Sequence, residues 1–518
     1  MYKLLLCWRY LLTRFIALAS VISVMLGVAT MIVVNAVMLG FTSEMKDRIQ
    51  GILADITFQS HDINKGFPLY EWHREQILKA AGDMIEELTP TVVVPGMISY
   101  RAFGTGDPVS FPVDIVGIDE RTQGKVSKIA SYLQHPENRK QLSFNLHTDG
   151  YDIQAGGYSN GAYRYAMEYA GWVHRRWLAE ARKRQQGQPA FQPVSHQQTE
   201  SSGTPRDPFA GLSQPEGLCF DPAKEQHAGI IVGIGLSLCN RSDTTDPETG
   251  KKIVKDELML LPGDDVRLTF PTSDMQLQFQ NDSFTVVDLY ESKMAEYDRK
   301  LVFVPIEKLQ YLRGMIDPDS GTYTTTQILI KVKPGVVLKE VRDKLRGFFP
   351  SSRYSINTWQ DDQATLLNAV ATELAMLNVL LFLIFAVAGF GILAIFYMIV
   401  VEKQKDIGIL KALGASSGGV MQIFLYYSLL LGVIGSALGL VVGLLFVEHI
   451  KEIATVLSYI LQRDVFSPEI YSFYEIPTIV DIPTVIGIIT GAVLIAVLAG
   501  VLPALRAARV HPVETLRS

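Results

Sequence analysis

Four stretches of the chain are long, apolar and free of charged residues. They run from Phe15 to Ser43, Leu374 to Val401, Ala412 to Val447 and Ile482 to Leu505. The hydrocarbon core of a membrane is about 30 Å thick and needs about 20 apolar residues in a helix, which pairs its own backbone amides. A core helix of a soluble protein is rarely this long and apolar on every side. We therefore predict four transmembrane helices, the third beginning near residue 420 after a loop.

Basic residues near the ends of these stretches indicate the orientation of the chain. Short cytoplasmic loops are enriched in Lys and Arg, and here basic residues precede the first stretch, separate the second from the third and follow the fourth. They are Lys3, Arg9 and Arg14, then Lys403, Lys405 and Lys411, then Arg506, Arg509 and Arg517. Both termini are therefore predicted to be cytoplasmic. The first stretch is too long for the apolar part of a signal peptide, which favours an uncleaved anchor.

The segment between the first two stretches has the pattern of a folded domain. Short β-rich runs alternate with turn signals at 55–118 and 229–332, which predicts a mixed α+β domain outside the membrane. Gln, Ser, Gly and Pro accumulate from about 120 to 228, around one helix near 171–184, and this region is interpreted as a partly disordered insertion. Its patch His174-Arg175-Arg176-Trp177 is either a solvated helix face or a contact for a partner or an anionic headgroup.

The predicted fold class is thus an α-helical membrane protein with four transmembrane helices and a large α+β extracytoplasmic domain between helices 1 and 2. The predicted order is a cytoplasmic N-terminus (1–14), helix 1 (15–43), the outer domain (44–370), helix 2 (374–401), a cytoplasmic loop (402–419), helix 3 (420–447), an outer loop (448–481), helix 4 (482–505) and a cytoplasmic tail (506–518).

Charge and motifs exclude several functions. The formal net charge of −6 argues against a nucleic-acid binder, and the three cysteines have no CxxC spacing for a metal site. The chain has no G-x-x-x-x-G-K-[ST] phosphate loop, so no cofactor is predicted and any ATP would be bound by a separate subunit. The segment Gly414-Ala415-Ser416-Ser417-Gly418 matches G-x-S-x-G, but it follows a helical pattern instead of a strand. The chain is therefore predicted to be non-catalytic.

The loop after the second stretch predicts a short amphipathic helix. Ile407, Leu410 and Leu413 recur at helical spacing with charges opposite, and Gly414 is a natural stop. Such a helix either lies flat on the lipid headgroups or places its apolar face in a groove of a partner. The four stretches contain no ionisable residues for a proton relay, which favours a mechanically driven machine.

This loop and the closing segment from Leu502 to Arg517 resemble the FtsX/MacB-type permeases of ATP-binding-cassette systems. Members of that family have one span, then a large outer domain, and then three further spans. The resemblance implies that the loop is a coupling helix that contacts a separate cytoplasmic ATPase and transmits its motion. The residues assigned to this contact are Lys405, Asp406, Ile407, Leu410, Leu413 and Gly414.

Within the family, the chain is similar to the lipoprotein-releasing LolC/LolE subunits. The similarity rests on the segments Asn35–Phe41, Asn357–Trp359 and Phe466–Glu469, and it departs at 120–228 and at Gly391, where those subunits usually carry Asn. It implies a bacterial inner-membrane assembly with a second permease, identical or different, two ATPases, membrane lipid, a lipoprotein substrate and a periplasmic carrier. Substrate would sit between spans one and two, at Met38 and Phe41, with Glu373 at the entrance.

Two other functions remain open at this point. One is a MacB-like exporter of peptides or small molecules, which is disfavoured because MacB carries its ATPase on the same chain. The other is an FtsX-like regulator that controls a cell-wall hydrolase through its outer domain.

Two further features admit a structural and a functional interpretation. Cys219 and Cys239 would lie in an oxidising compartment and could form a disulfide, or they are two free thiols. Gly432, Ser436, Gly439 and Gly443 lie on one face of the third span. This face either permits close helix packing or lines a pore.

Overall fold

The computed structural model describes residues 15–62, 66–102, 106–154, 162–186, 220–245, 252–273, 278–316, 321–461 and 476–509. They divide into two compact units. The helical unit comprises 1–47 and 363–518, and the α/β unit comprises 48–362. Of the predicted features, the cytoplasmic N-terminus 1–14, Cys219 and the segment Phe466–Glu469 lie outside the described residues.

The described residues form both α-helices and β-strands. The helices are α1 (Phe15–Ile52), α2 (Tyr70–Ala81), α3 (Gln123–Val126), α4 (Pro136–Lys140), α5 (Trp172–Gln186), α6 (Ile234–Ser237), α7 (Ala295–Asp298), α8 (Ile306–Arg313), α9 (Leu338–Phe348), α10 (Trp359–Asp362), α11 (Ala364–Glu402), α12 (Gln404–Ala412), α13 (Ser417–Glu448), α14 (Ile450–Leu461) and α15 (Ile482–Arg509). The strands are β1 (Ile56–Ser60), β2 (Phe67–Pro68), β3 (Ile85–Arg101), β4 (Pro108–Ile118), β5 (Ala228–Gly233), β6 (Leu238–Thr245), β7 (Lys252–Leu258), β8 (Asp265–Pro271), β9 (Phe279–Tyr290), β10 (Leu301–Pro305), β11 (Thr324–Thr325), β12 (Gln327–Val332) and β13 (Tyr354–Thr358).

The α/β unit is built on a mixed nine-stranded sheet in the order β13-β1-β12-β3-β4-β10-β5-β9-β8. The long strand β3 also pairs with β8, so the strands from β3 to β8 close into a ring. Alternation along β3 directs Val92 and Val94 into the ring, where they join the largest apolar core of the unit, and Val93 to its outside. At the other end of the sheet, α2 and α9 cover β1 and β12 around Phe58.

Much of the region from 120 to 228 belongs to this packed unit. Leu133, Phe144 and Leu146 are buried against the outside of the ring, in contact with a core that includes Val287 and Phe303. The helix expected near 171–184 is observed as α5. The expected partial disorder therefore does not apply to 120–154 and 162–186, because their apolar side chains complete the sheet's second face, whereas 187–219 lies outside the described residues.

The patch on α5 has a different role from either of those predicted for it. His174 and Arg175 are buried, and they hold Asp264 and Asp265 at distances of 2.8 Å (Nε2 to Oδ1) and 2.6 Å (Nη1 to Oδ1). Only Arg176 and Trp177 of the patch are exposed. The interpretation as a solvated face or a contact for a partner or headgroup is wrong for His174 and Arg175, because these side chains anchor α5 to the start of β8.

The described part of the helical unit contains four helices that are long and apolar enough to cross a membrane. They are α1, α11, α13 and α15, and they overlap the four predicted spans. α1 and α11 extend beyond the apolar stretches, since Glu44 and Lys46 continue α1 and the stretch from Ala364 precedes the apolar start of α11. Hydropathy marks the part of a helix that suits lipid, whereas straight-chain charged residues also favour helix. These four helices and the mixed α/β unit fit a membrane permease.

Candidate functional site

The short helix α12 connects two of the membrane helices, at the position predicted for an amphipathic helix. Lys403 precedes it and its Nζ lies 2.8 Å from Asp406 Oδ2 in the first turn. At its end, Gly414 has a φ of 96°, and the N–H groups of Gly414 and Ala415 donate to the carbonyls of Lys411 and Leu410. This arrangement satisfies the last carbonyls of the helix, so the expected stop at Gly414 is observed.

The two faces of α12 have different surroundings. Ile407 is only 3% exposed and packs with Val400 of α11, Val420 of α13 and Ala507 of α15. In contrast, Ile409, Leu410 and Leu413 are exposed, Leu410 by 44% and Leu413 by 81%. Lys405 and Asp406 are exposed as well.

The prediction that Ile407 shares an exposed stripe with Leu410 and Leu413 is therefore wrong. Helical spacing identified an apolar face, but it could not show that the ends of three membrane helices cover the Ile407 side of it. A further link ties α12 to α15, because Lys411 Nζ donates to the carbonyl of Ala508 at 2.5 Å. A cation near the last carbonyls of α15 also suits the negative end of that helix.

The serine of the G-x-S-x-G match has a structural role. Ser416 is the N-cap of α13, and its hydroxyl oxygen accepts the N–H of Gly419 at 3.1 Å. Such a cap pairs one of the amides left free at a helix start. The two ends of the match are thus explained by the stop of α12 and the start of α13.

The small residues of α13 pack against neighbouring helices. A Cβ added at Gly439 would lie 2.7 Å from the Met25 carbonyl of α1, and one at Gly432 would lie 3.0 Å from Ala496 of α15. Ser436 is buried, and its hydroxyl donates to the carbonyl of Gly432. The packing interpretation is confirmed for this face, which also contains Gly435 and Gly443 against α1. Close backbone contact of this kind is a general way for membrane helices to associate.

A second close approach was not foreseen from the sequence. The N–H of Ile479 donates to the carbonyl of Ala36 in α1 at 3.0 Å, and a Cβ on Gly40 would collide with the backbone of Pro477. The glycine inside an apolar helix was the available signal. It allows the segment before α15 to lie directly on α1.

The residues predicted to line a substrate cavity are placed as follows. Met38 and Phe41 are half-buried near one end of the apolar part of α1, and Glu373 is exposed in the first part of α11. None of the three lines the apolar groove of about 200 Å³ between α11 and α15, which is formed by residues including Phe382, Phe390 and Leu498. The substrate cavity stays a prediction.

Part of this chain matches a known protein family. Residues 378–512, which contain α12 and most of the three C-terminal membrane helices, match the family model described as FtsX-like permease C-terminal. The chain is 30% identical over 234 residues to the lipoprotein-releasing system transmembrane protein LolC of Xylella fastidiosa (strain 9a5c), which is 45% of this chain and 55% of that relative. It is 28% identical over 136 residues to LolE of Haemophilus influenzae, 26% of this chain and 33% of that relative.

A match to the macrolide export ATP-binding/permease protein MacB of Neisseria meningitidis serogroup A is 25% identical over 201 residues, which is 38% of this chain and 28% of that relative. The chain spans about half the length of the LolC protein of X. fastidiosa that it matches. The family model and these relatives agree on the type of protein. Residues 378–512 thus form an FtsX-like permease C-terminal region, and the chain is similar to ABC transporter permeases that include LolC, LolE and MacB.

Proposed function

We propose that this chain is a non-catalytic permease subunit of an ATP-driven assembly and that α12 is the docking surface for a separate ATPase. The observation that carries the proposal is the contrast between the two faces of α12. One face is fixed to the membrane helices through Ile407, and the other exposes Leu410 and Leu413. An exposed apolar surface beside charged residues is typical of a site where a partner binds.

The fixed face gives this surface a means of transmitting force. Ile407 contacts α11, α13 and α15 through Val400, Val420 and Ala507, and Lys411 binds the end of α15. Packed interiors resist compression and pass on displacement. A partner that moves α12 would therefore move three membrane helices together.

We further propose that the substrate is amphiphilic and that a lipoprotein is the first candidate. The similarity to LolC and LolE supports this choice, and the chain would then act in a bacterial inner membrane with the α/β unit in the periplasm. A second permease, identical or different, would complete the pathway, with Met38, Phe41 and Glu373 at the substrate cavity and a periplasmic carrier to receive the lipoprotein.

Substitution of one exposed residue tests the coupling role. Leu410→Asp would place an unpaired carboxylate in an apolar interface, which costs several kcal/mol. Since about 1.4 kcal/mol corresponds to a tenfold change in affinity, we expect recovery of the ATPase with the purified chain to fall at least about tenfold. The measurement is co-purification of the ATPase with the full chain from cells that express both.

Leu78→Asp is the matched control. Leu78 is 38% exposed on α2 of the α/β unit, so the same substitution is made at similar exposure away from α12. This variant should retain the ATPase. Equal recovery with Leu410→Asp and wild type would remove the basis for a coupling helix.

The substrate is tested on the wild-type assembly. Lipoproteins bound to the purified complex should be identifiable by mass spectrometry and should be released when ATP is added. If peptides or small molecules are bound instead, an exporter is favoured. If nothing is bound while the ATPase is retained, a regulatory role is favoured.

A further inference from the structure

A cluster of two histidines and one glutamate lies in the α/β unit. His135 is the N-cap of α4, Glu137 lies in the first turn of that helix, and His147 follows in the next loop. The two imidazole rings are stacked, with centroids 3.8 Å apart and planes 5° apart. One ligand atom from each of the three side chains lies within 4.8 Å of the others.

The hydrogen bonds of His147 determine which of its ring nitrogens carries hydrogen. The amide Nδ2 of Asn138 donates to buried Asp288 at 2.7 Å, so Oδ1 of Asn138 is the atom that faces His147. That oxygen only accepts, and it lies 2.9 Å from Nε2 of His147. Nε2 is therefore the donor, and in the neutral ring Nδ1 carries the lone pair. Nδ1 lies 3.3 Å from Oε2 of Glu137, so two acceptors face each other.

His135 adopts the same tautomer. Its Nε2 lies 2.9 Å from the backbone carbonyl of Asp149, which can only accept. Its Nδ1 is therefore an acceptor, and it accepts the backbone N–H of Glu137 at 3.2 Å. Both rings thus donate Nε2–H to a carbonyl oxygen. Nδ1 of His135 is unprotonated, and Nδ1 of His147 is unprotonated when that ring is neutral. In metal sites, histidine ligands usually have this second hydrogen bond to an oxygen, which fixes the tautomer and the ring orientation.

We propose that His135, Glu137 and His147 bind a divalent transition-metal ion of the Zn²⁺ class. The ligands would be Nδ1 of His147 and the carboxylate of Glu137, with water completing the coordination. Nδ1 of His135 would join them when its ring tilts out of the stack, because the in-plane lone pairs of two parallel rings cannot meet at one ion. Two imidazoles and a carboxylate suit Zn²⁺ and similar ions better than Ca²⁺ or Mg²⁺, which prefer oxygen alone. The ion would separate the facing acceptors of Glu137 and His147. His135 would exchange its hydrogen bond from the Glu137 backbone for the metal.

Access and support are both present at this cluster. Glu137 is exposed and His147 is half-buried, so an ion can enter from solvent, while His135 is buried at the base. Asn138 is fully buried and is held by Asp288, which also accepts the backbone N–H groups of Gln134 and His135 at 3.2 Å. The oxygen that orients His147 is therefore itself fixed by the core of the unit.

Zn²⁺ binding to the full chain tests the proposal. The chain is purified in detergent, stripped with a chelator and titrated with Zn²⁺ by calorimetry. We expect wild type to bind one more equivalent than His147→Gln, or to bind that equivalent at least about tenfold more tightly. Glu137→Gln should weaken the same equivalent, and this residue is exposed enough to be replaced without unfolding the unit.

His227→Gln is the matched control. The ring of His227 stacks on Phe220 with centroids 4.2 Å apart, outside the cluster, so its loss should leave the equivalent unchanged. Circular dichroism must show each variant folded. A second readout is Co²⁺, whose visible absorption should appear with wild type and His227→Gln and be lost with His147→Gln.

Two results would overturn the proposal. One is equal stoichiometry and affinity for Zn²⁺ in wild type and in folded Glu137→Gln. The other is no Zn²⁺ uptake by wild type at concentrations of about 10 µM, which would leave a proton as the cation between His147 and Glu137.

Discussion

The helical unit and the α/β unit differ in the kind of polar side chain that they bury. In the described part of the helical unit, the fully buried polar side chains are the hydroxyls of Ser20, Ser428 and Ser436. In the α/β unit, buried side chains include Arg164, Arg175, Asp288 and Asp298. Lipid offers no water to an unpaired charge, whereas a domain in water can bury a charge when a partner is supplied. Shape therefore dominates the packing of one unit and charge pairing supports the other.

The substitution with the largest expected effect on stability tests the charge pairing in the α/β unit. Arg164 is 1% exposed, and its guanidinium lies 3.1 Å from Asp256 (Nε to Oδ2) and 3.0 Å from Glu291 (Nη2 to Oε2). Arg164→Met keeps much of the volume but leaves two carboxylates without their cation. We expect the α/β unit to lose about 3–5 kcal/mol of stability, measured by chemical denaturation of the full chain in detergent.

The control for this prediction is an exposed ion pair. Arg184 of α5 lies 3.7 Å from Glu180, with side chains 83% and 68% exposed. Arg184→Met should cost less than about 1 kcal/mol, because water screens such pairs. Similar losses of stability in the two variants would mean that buried charge pairs do not stabilise the α/β unit more than exposed pairs do.

The same contrast explains which parts could be predicted from the sequence. The membrane helices and the small-residue face of α13 depend on one continuous stretch each, so hydropathy and helical spacing were sufficient. The ion pairs of Arg164 join residues from 164, 256 and 291, which no local pattern connects. A region rich in polar and turn residues was therefore interpreted as a partly disordered insertion, although its described parts carry buried groups.

The candidate sites divide in the same way. The position and the end of α12 followed from local periodicity and from Gly414, but the burial of Ile407 depends on residues as distant as Ala507. No metal site is predicted from the sequence, because the three cysteines have no metal-ligand spacing. The cluster of His135, Glu137 and His147 uses no cysteine, and its tautomers depend on Asn138 and Asp288. The proposed disulfide between Cys219 and Cys239 stays a prediction, and Cys239 is exposed.

The substitution with the next largest expected effect tests the close packing of helices in the helical unit. A Cβ at Gly439 would lie 2.7 Å from both the Met25 carbonyl and Val28 Cβ, so α1 and α13 would have to separate. We expect Gly439→Ala to cost about 1–3 kcal/mol, seen as a lower unfolding temperature of the full chain in detergent.

Gly491→Ala in α15 is the control, because its Cβ would meet nothing within 4 Å. It should be neutral or stabilising, since Ala favours helix by about 1 kcal/mol. The reverse ranking of the two variants would refute this account of the glycines.

The substitution with the smallest expected effect concerns the buried carboxyl group of Asp298, which accepts hydrogen bonds from Ser292. Asp298 is buried in the α/β unit, and burial raises its pKa from the ordinary 3.8 to about 7, although the Ser292 hydroxyl and backbone N–H donate to Oδ1. Nearby Glu291 raises the pKa further. The folded chain therefore binds more protons than the unfolded chain between about pH 4 and 7.

Stability of the α/β unit should consequently fall as the pH rises through this window and level off above about pH 7. Between pH 6 and 7 the contribution of Asp298 is on the order of 1 kcal/mol. Asp298→Asn keeps an oxygen that can accept from Ser292 but does not ionise, so its denaturation midpoint should vary less with pH than that of wild type. Asp288, whose pKa burial also raises to about 7, stays in both chains, so part of the slope should remain. The difference is measured by denaturation in the presence of a chelator at pH 5, 6, 7 and 8. If stability depends on pH in the same way in the two chains, the pKa of Asp298 is not raised by folding.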